Sequence, residues 1–79
     1  MIKPSAALNG YWRVYGIDGF LIGGGYTSVE FYPGYRVAGL VIVDQVYIGG
    51  NPYRADEITV SEDGNRIDHA SGLYAIRES

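Results

Sequence analysis

The sequence predicts an all-β fold: a small antiparallel barrel or sandwich of about seven short strands. Three observations carry this. Short apolar or alternating segments recur between turn signals spaced about 8–12 residues apart. Glycine supplies 12 of the 79 residues and aromatics 14%, eight of them tyrosine. No stretch holds the 3.6-residue apolar period of an amphipathic helix, which leaves a barrel or sandwich.

The first nine residues, Met1–Asn9, read as an arm, followed by a single β domain over 10–79. Ser5-Ala6-Ala7-Leu8 has the composition of one helical turn, but an isolated turn is marginal without packing, so an irregular arm is expected. Gly10–Ile17 alternates, with Trp12 and Val14 on one face and Tyr11, Arg13, Tyr15 and Ile17 on the other. Asp18-Gly19 signals a type I′ hairpin returning through Phe20-Leu21-Ile22. Gly23-Gly24-Gly25 then cuts that strand short. Tyr26–Tyr32 is a half-buried alternating strand, and Pro33-Gly34 a tight turn. Tyr35–Val43 (YRVAGLVIV) is apolar on both faces and rich in β-branched residues. It is expected to be the buried central strand, paired antiparallel with Tyr26–Tyr32. Further short strands follow at Gln45–Ile48, Glu57–Val60, Arg66-Ile67 and Leu73–Arg77, joined by the Gly49-Gly50-Asn51-Pro52 loop, the Glu62-Asp63-Gly64-Asn65 turn and a loop at Asp68–Gly72.

Two pairs of stretches match. Arg13-Val14-Tyr15-Gly16-Ile17 resembles Arg36-Val37-Ala38-Gly39-Leu40, and Ile22-Gly23-Gly24 with Tyr26 and Glu30 resembles Ile48-Gly49-Gly50 with Tyr53 and Glu57. The readings are an internal two-fold pseudo-repeat or chance matching in a Gly-, Val- and Tyr-rich chain.

Size and charge narrow the functional classes. Seventy-nine residues make one domain, too few for two. With no cysteine, a disulfide cannot reinforce it, and His69 is the only residue of the strong zinc-ligand types. That leaves a well-packed aromatic core or self-association, so a homo-oligomer is expected. The net charge is −3, and the imbalance lies after Val43, where seven carboxylates face three arginines. A phosphate-backbone binder needs the reverse, so nucleic acid is not an expected partner. No apolar segment follows Lys3-Pro4-Ser5, and the longest apolar run is far below the ~20 residues of a membrane helix. A soluble, acidic, cytoplasmic protein with no membrane partner is expected, with a virion as the alternative location.

Catalytic sets are weak. Asp68, His69 and Ser71 hold the residue types of a nucleophilic triad, but sequence neighbours rarely converge on a substrate, and a solvated loop histidine accounts for them. Asp56-Glu57 and Glu62-Asp63 match no calcium loop, and Glu30 with Glu57 reads as solubilising. The glycine loops lack the following helix of a phosphate-binding fingerprint and read as bulges or corners of a curled sheet. No enzyme, metal or cofactor is therefore expected.

The Tyr/Arg set remains: Tyr11, Arg13, Tyr15, Tyr32, Tyr35 and Arg36. These types are enriched at binding hot spots, each joining a large body to a polar tip. The leading expectation is a non-enzymatic interaction module, of a size fitting small phage-type inhibitors, that docks another protein through this surface or an edge strand. Two alternatives stand beside it. One is a nucleotide or sugar binder using Gly23, Gly24, Tyr26, Gly49, Gly50, Tyr53 and Arg54. The other is a structural subunit of a larger assembly.

Overall fold

Burial of Trp12 sets the layout of the protein, whose computed structural model describes residues 2–77. Strand β1 (Gly10–Tyr15) turns Trp12 and Val14 into the interior, where they are 0% and 1% exposed, and Tyr11, Arg13 and Tyr15 outward. β2 (Leu21–Tyr32) pairs along one edge of β1, and β9 (Tyr74–Arg77) along the other. The sheet continues through β5 (Gln45–Ile48) and β6 (Asn51–Arg54) on one side, and through β8 (Arg66–His69) and β7 (Ile58–Val60) on the other. The resulting order is β6-β5-β2-β1-β9-β8-β7, with every neighbouring pair antiparallel. This sheet curls into a nearly closed barrel, in line with the predicted class. A 3₁₀ turn, Ala55–Glu57, links the two edge strands, and the Tyr53 ring meets His69 at 4.8 Å across the gap.

Inward-facing Val14, Val29, Val46, Ile48, Ile58, Val60, Ile67 and Ala75 pack with Trp12 into one core, which Phe31 and Tyr53 border. Full burial of one such aliphatic side chain is worth about 1.5–3 kcal/mol. The arm adds to this core. Ser5 caps a 3₁₀ turn at Ala6–Leu8, and Leu8 is buried at 3% exposure. The Trp12 indole N–H donates to the Leu8 carbonyl (2.9 Å), satisfying the one polar atom that the tryptophan takes into the core. Arg77 lies 4.3 Å over the same indole and donates to the Ala7 carbonyl (2.7 Å). Farther out, Ile2 makes an isolated bridge to Val60.

The expected central strand is not one. Tyr35–Val43 folds back on itself as a separate hairpin of β3 (Tyr35–Val37) and β4 (Leu40–Ile42), hydrogen-bonded only to each other. Ala38 and Gly39 both take positive φ (50° and 83°), the requirement of a two-residue type I′ turn. Alternation read through Ala38-Gly39 therefore joins two strands that the turn separates. Instead of lying in the core, Val37, Leu40 and Val41 are more than half exposed. β1 holds the central place, with Trp12.

Three smaller expectations also change. Pro33-Gly34 does not pair Tyr26–Tyr32 with the next segment. β2 pairs with β5 instead, through Val29↔Ile48 to Tyr32↔Gln45, and the hairpin projects between these two strands. Gly34 is needed for close approach, because a Cβ there would sit 2.1 Å from the Ile42 carbonyl oxygen. Its N–H donates to the Asp44 carboxylate. Gly23–Gly25 does not end a strand either: β2 runs through the glycines as a wide bulge, Arg13 opposing Tyr26 while Tyr15 opposes Leu21. At Asp18-Gly19 only the glycine has positive φ, so the turn is not type I′. It is a Gly16–Gly19 turn closed by Gly19 N–H to Gly16 O (2.9 Å), with the Asp18 carboxylate accepting from Phe20 N–H (3.0 Å).

The matching stretches take different local forms. Arg13-Val14 lies in the central strand and Arg36-Val37 in the detached hairpin. The first Ile-Gly-Gly is a bulge inside β2, whereas the second enters the two-residue turn between β5 and β6.

Truncating the core and truncating the hairpin are expected to differ sharply. Ile67→Ala costs about 2–5 kcal/mol in urea unfolding, and Leu40→Ser changes the monomer by less than about 0.5 kcal/mol. Gly34→Ala forces the hairpin from its seat, and is read as faster tryptic cleavage after Arg36 with the barrel intact.

Candidate interaction surfaces

The outward side chains of β1 build a continuous aromatic and cationic face. Strand pairing sets Tyr26 beside Arg13 and Tyr74 beside Tyr15. The Arg13 guanidinium lies 5.3 Å from the Tyr26 ring centre, and Tyr15 stacks on Tyr74 at 5.0 Å and 13°. Arg66 sits 4.7 Å from the Tyr74 ring and makes a two-pronged contact with Asp68, at 2.9 and 3.0 Å. Cation–π contacts at such half-exposed sites are worth about 0.5–1 kcal/mol, and the exposed ion pair contributes little. Their main effect is to hold the rings in fixed orientations. Tyr11, at 70% exposure, extends the face toward solvent.

The other predicted interaction residues lie elsewhere. Tyr32 is farther along β2, edge-on to Tyr47 at 4.9 Å, with its hydroxyl donating to Glu30 (2.9 Å). That hydrogen bond and the adjacent carboxylate charge hold the Tyr32 phenol above its ordinary value. Tyr35 and Arg36 belong to the hairpin. The six residues thus divide into a β1 group and a second group in which Tyr32 and Tyr35 line one depression, with Arg36 beside them in the hairpin.

Residues of the small-ligand alternative are also divided. Gly23 and Gly49 both flank Thr27, and Tyr26 takes part in the outer face. Tyr53 faces inward from β6 against His69, while the Arg54 guanidinium grips Asp56 at 2.8 and 3.2 Å. One depression is a groove of about 680 Å³ between hairpin and barrel, lined by Ile2, Pro4, Tyr35, Val41, Val43 and Ile58 with Lys3, Arg36, Asp44 and Asp56. A second, of about 440 Å³, lies between Tyr32, Tyr47 and the base of the hairpin.

Sequence reasoning placed His69 in a solvated loop beside Asp68 and Ser71. The imidazole is instead only 10% exposed, and Asp68 turns away to Arg66. Glu57 takes its place, 3.1 Å from His69 Nε2. The Ser71 backbone N–H donates to Nδ1 (3.1 Å), and the Ser71 hydroxyl lies 2.8 Å from the same nitrogen. With Nδ1 accepting, Nε2–H donates to Glu57. The three residues tie β8 and its following turn to the 3₁₀ turn before β7, and neither depression reaches them. Among the described residues no His, Asp and Glu cluster is arranged to hold a metal ion, and no helix is long and apolar enough to cross a membrane.

Sequence reasoning named Tyr35 and Arg36 of the hairpin but missed the exposure of Val37, Leu40 and Val41, which it placed in the core. The signal was present: Ala38-Gly39 between Val37 and Leu40 is a two-residue loop inside an apolar run. No family model, curated protein or solved structure matches the chain.

Glu30→Gln removes the charge that disfavours a Tyr32 phenolate while retaining an acceptor for its hydroxyl. The Tyr32 phenol is expected to titrate at lower pH in the variant, measured by NMR titration of its ring carbon.

Proposed function

We propose that this protein is a non-enzymatic interaction module that docks onto another protein through the β3–β4 hairpin. One observation carries the reading. Tyr35, Val37 and Leu40 share one face of a segment whose backbone bonds are met by its own ladder, and are 57–67% exposed. Scattered apolar residues on a surface are ordinary, but a contiguous apolar patch on a projecting element marks a contact site. Burial of these side chains supplies the driving force, and Arg36 with Val41 occupies the opposite face of the hairpin. The rigid β1 face of Tyr11, Arg13 and Tyr15 supports the same reading as a second contact, in the manner of a small inhibitor with a broad docking surface.

A small-ligand reading is favoured by the groove under the hairpin, whose mixed lining suits a largely apolar ligand with one polar group. Native mass spectrometry separates the two readings, because retained small-molecule mass on the purified chain supports the groove.

The docking reading is tested with a photoreactive side chain placed at Val37, at Tyr11, or at the outward-facing control Thr59. Protein adducts from Val37, fewer from Tyr11 and none from Thr59 are expected. Equal labelling from all three positions, or none from Val37, overturns the reading.

A further inference from the structure

The two faces of the hairpin adjoin different surroundings. Register sets Arg36 opposite Val41 on one face and Val37 opposite Leu40 on the other. Arg36 and Val41 line the groove between hairpin and barrel, and Val37 and Leu40 do not. Backbone contacts fix the groove's sides. At the hairpin base the Asp44 carboxylate accepts from the Gly34 N–H, and the Asp44 carbonyl accepts from the Ala55 N–H (3.0 Å). On the arm, Ile2 lines the groove and bridges to Val60. Buried Ile58 contributes to the apolar lining, together with Ile2, Val41 and Val43, which are 38–60% exposed.

Four charged residues line the same groove, and they are not equivalent. Both carboxylate oxygens of Asp56 are taken by the Arg54 guanidinium, so that pair is neutral as a unit. One oxygen of Asp44 is taken by the Gly34 N–H. Among the described residues, Lys3 and Arg36 have no ion-pair or hydrogen-bond partner. Two unmatched cations against the one remaining carboxylate leave the groove cationic, at 2 − 1 = +1.

We infer that the groove binds an anionic amphiphile, an aliphatic chain ending in a carboxylate. Lys3 and Arg36 meet the head group, and Ile2, Val41, Val43 and Ile58 lie along the chain. This deepens the small-ligand reading above by giving the ligand its chemical class. The chain covers apolar surface that water otherwise wets, and the head group gives both cations the counter-charge they lack. The guanidinium fork of Arg36 matches a carboxylate in particular. A cationic head group would stand against Lys3 and Arg36, and a neutral one would leave them unmatched. The volume of about 680 Å³ falls within the about 300–1,000 Å³ usual for small-molecule sites.

The test is an NMR titration of the backbone amides of the full chain with octanoate, octanol and octylammonium, each below its aggregation limit. Octanoate is expected to shift the amides of Gly34, Val41 and Ile58, to bind about tenfold more tightly than octanol, and to exceed octylammonium by more. Lys3→Gln/Arg36→Gln is expected to bring octanoate down to the affinity of octanol. Val41→Ser is expected to weaken both ligands about threefold, and Leu40→Ser, on the other face, to change neither. All these positions are solvent-facing, and circular dichroism verifies the folds of the variants. Octanol or octylammonium binding as tightly as octanoate, or a Lys3→Gln/Arg36→Gln variant that keeps the preference, overturns the anionic assignment and leaves the groove reading standing. Shifts centred on Val37 and Leu40, or no shift with any of the three ligands, overturn the inference and the groove reading together.

Discussion

Trp12 is the constraint from which the rest of the architecture follows. An indole that is fully buried and still bonded through its N–H needs a carbonyl brought to it from outside the sheet, and Leu8 supplies one. The arm is thereby recruited into the core. The last described strand is held for the same reason, since Arg77 covers the indole face and anchors to Ala7. A small β domain with neither disulfide nor metal cluster among its described residues thus fastens its first 3₁₀ turn and its last described strand around one side chain. Each of those contacts is worth a kilocalorie or so, and their value lies in acting on the same residue.

The barrel around this centre is made of local hairpins and one long-range seam. β1–β2, β5–β6, β7–β8 and β8–β9 join sequence neighbours through short turns, and β2–β5 brackets the projecting hairpin. Among the described strand pairs only β1–β9 joins distant parts of the chain, alongside the isolated Ile2–Val60 bridge. Polar side chains concentrate in the turns: the Asp63 carboxylate accepts from the Ser61 hydroxyl and the Asn65 N–H, which hold it below the usual carboxylate range. The interior is left to apolar packing, and no polar or charged residue among those described is classed as buried. The His69 side chain is 10% exposed, and both its ring nitrogens are partnered.

Much of this was legible because alternation is a local signal. The in-and-out pattern of Gly10–Tyr15, the burial of Trp12 and the outward set of Tyr11, Arg13 and Tyr15 follow from period two alone. The errors arose where one local rule competed with another. At Tyr35–Val43 an apolar run spoke for burial and Ala38-Gly39 for a turn; the turn prevailed, although Ala38 must adopt a positive φ that its side chain disfavours. At Gly23–Gly25 low strand propensity was overridden by the ladder on either side of the bulge. The Glu57–His69 contact was illegible for another reason. It joins residues twelve apart, and nothing short of the β7–β8 register brings them together. The site was the least legible part, since exposure of the hairpin depends on where every other strand has gone.

The seam between the central strand and the final one also bears on how the chain is made. During synthesis β1 emerges well before its second neighbour, β9. Until then Trp12 has a partner on one edge only, and the nascent chain presents a half-sheet with an open hydrogen-bonding margin. Closure waits until residue 77 has emerged and is free to dock, and until then the sheet has an open, adhesive edge.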